Sequence, residues 1–121
     1  MTDHLFFLIG FAFLLTHEMD AIRCREWRIV PILGAMGEEA GYVAFMALHV
    51  PLYALLFWGL TGADGPNRGL IFALDIFFVV HLILHIALRN HPENRFGSPL
   101  SWALFAGAGV CGAIDLLLSL R

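Results

Sequence analysis

The sequence predicts an all-α integral membrane protein, a single bundle of four spanning helices. Three observations predict it. Of 121 residues, 60% are hydrophobic and only 14% are charged, where a soluble domain carries about 25% charged residues. The mean hydropathy is +0.79. Four spans of about 20 residues each would leave roughly 40 residues for loops and ends, and four apolar stretches of that kind can be read along the chain. The net charge is −3 and every basic residue is an arginine, so no basic surface is available to hold phosphates. These properties exclude an ordinary soluble enzyme, a disordered chain and a nucleic-acid binder.

The first span is expected over residues 4–22. Its uninterrupted apolar run, Leu5 to Leu15, is only about half of what a span needs. The polar cluster Thr16-His17-Glu18-Met19-Asp20 must therefore lie within the membrane or at its edge. The start Met1-Thr2-Asp3-His4 has no positive charge, and no small-residue cleavage site follows. The segment is thus read as a retained helix rather than a secretory signal. The helix can continue through Arg23-Cys24-Arg25-Glu26-Trp27-Arg28 until Pro31 stops it. A connection follows, with Glu38 and Glu39 read as a solvated charge pair. Span two is expected over 40–60 and carries His49 and Pro51. The turn-rich stretch Thr61-Gly62-Ala63-Asp64-Gly65-Pro66-Asn67 ends it. Span three, over 69–88, carries Asp75, His81 and His85, and span four, over 99–120, carries Asp115. Together they make one transmembrane domain over 1–121.

Arginine placement orients the chain. Arg23, Arg25, Arg28, Arg89 and Arg95 fall on one side, Arg68 and Arg121 on the other. The positive-inside rule puts the richer side in the cytoplasm and both termini outside. Trp27, Trp58 and Trp102 fall near the interfaces, as an aromatic belt does. Cys24 and Cys111 are too few and too far apart to read as a disulfide framework.

Depth brings the polar residues together. At 1.5 Å per residue, His17, His49, His81 and His85 lie within roughly 10 Å of one another in depth, in the cytoplasmic half. His81 and His85 are an i, i+4 pair on one helix face. Such a pair can hold one metal ion through two imidazoles. His17 and Asp20 share a face of span one, and Glu18 sits about 100° away. Ionisable groups inside a span are costly and normally face the bundle interior. The candidate ligands are therefore His17, His49, His81, His85 and Asp20, with Glu18 as general base. An imidazole and carboxylate set suits Zn or Fe. Asp75 and Asp115 fall in the opposite half and are read as structural, pairing with each other or with His4. In span four, Gly107 with Cys111, and Ala108 with Gly112, follow small-residue spacing that lets helices approach. The Gly107, Cys111 and Gly112 face is a candidate contact for a second copy of the chain.

The segment His17-Glu18-Met19-Asp20-Ala21, together with His49-Val50-Pro51 and His81-Leu82-Ile83-Leu84-His85, resembles a family of uncharacterised small four-span bacterial membrane proteins. The resemblance covers most of the chain. It implies the four-helix fold and a polar site and nothing more; the expected location is the bacterial inner membrane. Two other similarities fail. Zinc proteases with HExxH need a second His where Ala21 stands. Membrane desaturases use several histidine boxes, and this chain has one HxxxH and six histidines in all. Three uses of the site stay open: a metalloenzyme acting on a lipid-like substrate from the bilayer; a b-type haem electron carrier using His49 with His81 or His85; and a proton or metal-ion transporter working as an oligomer.

Overall fold

The computed structural model describes residues 4–121; the polar start Met1-Thr2-Asp3 lies outside them. Four long helices dominate: α1 (Leu5–Arg23), α3 (Glu38–Thr61), α4 (Arg68–Ala87) and α5 (Pro99–Ser119). All four are long and apolar enough to cross a membrane, and no strand occurs among the described residues. The protein is an all-α four-helix bundle. Between α1 and α3 the chain makes one 3-10 turn (Glu26–Arg28) and a short helix α2 (Pro31–Ala35), where the sequence suggested a single continuing helix and then a loop.

Local chemistry sets the helix starts. Asn67 caps α4 by accepting the Leu70 amide at 3.0 Å. Ser98 caps α5 by accepting the Ser101 amide at 3.0 Å, and Pro99 stands at the first helical position, where its missing N–H costs nothing.

Helix α5 is the centre of the bundle, with α1 and α4 packed along it. Its small residues make this approach close. A Cβ added at Gly112 would lie 2.9 Å from the Asp75 carbonyl oxygen and 3.0 Å from Phe78 Cβ. One added at Gly109 would lie 2.6 Å from Leu82, and one at Gly107 would lie 2.9 Å from the Phe13 ring. On α1, a Cβ at Gly10 would meet Cys111 Cβ at 3.0 Å. The face formed by Gly107, Cys111 and Gly112, read from the sequence as a surface for a second copy, is thus occupied inside the chain. Small side chains drew α1 and α4 in from the two flanks. Both cysteines are free.

Two apolar clusters fill the bundle. Toward the start of α1, Phe7, Phe11 and Phe78 stack at 5.7 and 5.9 Å between ring centroids. Toward the end of α1, Trp27, Phe45, Phe96 and Phe105 surround Ala21. Helix α3 stands apart. Only 11% of its apolar window is buried, against 33–39% for the other three. It is held near its start by Trp27, whose ring packs on Tyr42 at 5.4 Å and Phe45 at 5.8 Å.

Replacing Gly112 by Val should cost about 1–3 kcal/mol through overpacking against α4, read as a lower thermal unfolding midpoint in detergent. Gly97→Ala is the control, because nothing among the described residues lies within 4 Å of its added carbon. Equal midpoints for the two variants would contradict this packing.

Candidate metal centre

The site forms where α1, α4 and the turn after α1 converge. Helix α1 ends at Arg23; the Cys24 amide donates to the Asp20 carbonyl at 2.9 Å. Arg25 then adopts φ 54°, ψ 50°. This left-handed conformation costs a non-glycine residue roughly 1–2 kcal/mol, and it reverses the chain. Trp27 becomes 96% buried in the second apolar cluster (4% exposed), and Glu26 turns into the bundle.

Four side chains then surround one point: His17 from α1, Glu26 from the 3-10 turn, and His81 and His85 from α4. One donor atom from each lies within 4.8 Å of the others. The Nε2 atoms of His81 and His85 are 3.2 Å apart. Glu26 Oε1 is 3.7 Å from His85 Nε2 and 3.9 Å from His17 Nε2. A tetrahedral zinc with bonds of 2.0–2.1 Å holds its ligands about 3.3–3.4 Å apart; the His81–His85 spacing already matches this, and the widest pairs would have to draw in by up to about 1.5 Å around an ion.

The surroundings are largely buried and aromatic. His17 is fully buried (0% exposed), and neither of its ring nitrogens has a hydrogen-bond partner among the described residues. A buried polar group without a partner costs roughly 1–3 kcal/mol, so a native fold seldom leaves both nitrogens of one imidazole in that state. Phe105 stacks flat on His85 at 4.1 Å. Phe96, from the loop after α4, packs edge-on to His85 at 4.8 Å and against His17 at 5.3 Å. That loop is pinned by Asn94, which accepts the Phe96 amide and donates to the Leu88 carbonyl. Burial pushes the Glu26 carboxyl up, but the imidazoles of His17, His81 and His85 favour its charged form and hold it below the usual carboxylate range. Arg28 reaches Glu38 at 2.6 Å and Glu93 at 3.5 Å, bracing the turn that presents Glu26. Glu38, read from the sequence as solvated, is 47% exposed and pairs with Arg28 at the surface.

The other residues singled out from the sequence lie elsewhere. Asp20 does not face the cluster: its carboxylate accepts from Arg23 Nη2 at 3.0 Å and from the Ser101 hydroxyl at the start of α5. His49 does not face it either, because α3 stands off from the bundle core. Its Nε2 meets Glu18 Oε2 at 2.8 Å and its Nδ1 donates to the Phe45 carbonyl at 2.6 Å. Glu18 is therefore directed at α3, away from the three clustered histidines. At the opposite end, His4 Nδ1 lies 3.2 Å from Asp115 Oδ2, and Asp115 also accepts the Phe7 amide at 3.3 Å. Asp75 is buried beside Asp115. Glu26 is the donor that sequence reasoning missed. Its only signal was the polar, arginine-rich stretch 23–28, which carries no glycine or proline to announce a turn.

Residues 3–121 match a family of unknown function, DUF6713, and the chain belongs to that family. No curated protein and no solved structure matches it.

Because folding lowers the Glu26 value, its ionised carboxylate adds stability above the ordinary range, and that contribution is lost as pH falls through the lowered value. In chelator-treated protein, Glu26→Gln should therefore melt below wild type near about pH 6, with the gap closing toward about pH 3. Paired thermal melts across this range check it, and a gap that widens on acidification would contradict it.

Proposed function

We propose that this chain is an intramembrane metalloprotein that binds one Zn or Fe ion through His17, His81, His85 and Glu26. The observation that carries the reading is His17: a fully buried imidazole with no hydrogen-bond partner for either nitrogen among the described residues, set with two further imidazoles and a carboxylate whose donor atoms lie within 4.8 Å of one another. Three imidazoles and one carboxylate suit Zn or Fe better than Mg or Ca.

An opening of about 210 Å³ leads to the cluster. Glu26, His81 and His85 form its inner wall, and Ile29, Val30 and Leu84 are among its apolar residues. This supports catalytic use on a small lipid-like substrate entering from the bilayer. A bound ion would supply Lewis-acid polarisation of the substrate's polar group, and the apolar wall would exclude water. The arginine asymmetry supports a cytoplasmic position for this end of the bundle, with both termini outside. A b-type haem is less well supported, since His49 is engaged by Glu18 and Phe45 and is not opposed to His81 or His85.

Metal analysis by mass spectrometry, on untagged protein purified in mild detergent without chelator, tests the proposal. One Zn or Fe per chain is expected. Loss of an outer-shell partner alone weakens metal binding by about 10–100-fold, so His17→Ala and the His81/His85 double Ala variant should lower occupancy at least about tenfold at limiting metal. A folded protein that takes up neither ion on re-addition, or occupancy unchanged in His17→Ala, would overturn it.

A further inference from the structure

A second polar site lies on the other side of α1. Helices α1 and α3 leave a cleft of about 320 Å³ between them, near the small end of ligand pockets. Its walls are apolar, with Leu15, Ile22, Met46 and Phe57 among them, and its polar side chains are Glu18, His49 and Tyr53. Glu18 and His49 are both partly exposed to the cleft, at 17% and 21%. An ionisable pair at an opening toward hydrocarbon is costly, and this one lies outside the four-residue cluster that makes up the metal centre.

The pair's protonation follows from its geometry. A carbonyl oxygen can only accept, so His49 Nδ1 must donate to the Phe45 carbonyl at 2.6 Å. In a neutral ring, Nε2 is then an acceptor. It faces Glu18 Oε2, another acceptor, at 2.8 Å. Two acceptors at that distance need a proton between them. The pair therefore holds one proton, as imidazole with carboxylic acid or imidazolium with carboxylate, and is neutral in both forms. Its second carboxylate oxygen makes no hydrogen bond among the described residues.

We propose that the α1–α3 cleft binds a neutral lipid headed by a hydroxyl group, with the Glu18–His49 pair holding the hydroxyl and the hydrocarbon chain running out along Met46 and Phe57 into the bilayer. A hydroxyl supplies one donor and two acceptor lone pairs without charge. An anionic or cationic head would add an unpaired charge in an apolar cleft, at much greater cost. The open flank of the cleft suits this occupant: Met19, Met46 and Phe57, which line it, are 71%, 38% and 48% exposed, so the cleft is reached sideways from the lipid. The proposal does not depend on the metal centre.

The test uses a long-chain alcohol carrying a diazirine and an alkyne, with the matching fatty acid and alkyl amine as comparison probes, on purified protein in lipid nanodiscs. Cross-linked positions are mapped by peptide mass spectrometry, and metal content and helicity are measured on the same samples. The alcohol is expected to label Met19, Met46 and Phe57 saturably and to be displaced by unlabelled hexadecanol. Labelling should fall about tenfold, equivalent to one hydrogen bond to a charged or buried group, in His49→Leu. It should fall similarly in Met46→Trp, which fills the cleft and leaves the pair intact. Unsaturable labelling shared equally with Val50 and Leu52, labelling unchanged in Met46→Trp, or stronger labelling by the acid or amine would overturn the proposal. Metal content unchanged in both variants is expected whichever way the labelling falls, so the two sites are read separately.

Discussion

The constraint on which the rest of this structure depends is the burial of three imidazoles at one point in an apolar bundle. Each carries two polar nitrogens into surroundings that offer few partners. The fold concentrates that cost instead of spreading it. His81 and His85 share one face of α4 because they are four residues apart. His17 reaches them because glycines and alanines on α5 let α1 and α4 close in from both flanks. Phe96 and Phe105 then seal the group from the side. Without the small residues of α5, α1 could not bring His17 this close to the pair on α4.

Glu26 completes the group at a measurable backbone cost. A helix continued past Arg23 would carry Glu26 on beyond the bundle. The left-handed Arg25 turns it inward instead, and burial of Trp27 together with the Arg28 contacts to Glu38 and Glu93 holds that turn. Strained backbone that persists because its surroundings determine it is a common feature of functional sites.

The four-helix fold was legible because hydrophobic runs of spanning length leave little alternative in a chain this short. His81 with His85 was legible for the same elementary reason, the helical repeat. Depth along each helix could also be calculated, and it put His17 and His49 in one layer. What could not be calculated was the angle at which each helix presents its residues to the others. His17 and Glu18 are neighbours in sequence but about 100° apart around α1. They face different partners: His17 the cluster with α4, Glu18 the cleft with α3. His49 meets Glu18 for that reason, whereas Asp20, only about 60° from His17 around α1, is taken up by Ser101 and Arg23. Glu26 was hidden more deeply, since its position rests on a single left-handed residue that is neither glycine nor asparagine.

X-ray absorption at the metal edge of the purified protein tests the central claim most directly. The account predicts a first shell of nitrogen and oxygen at about 2.0–2.1 Å, with the multiple-scattering pattern of three imidazoles, reduced to two in His17→Ala. A shell made of sulfur or of water oxygen alone, or one identical in wild type and His17→Ala, would contradict it.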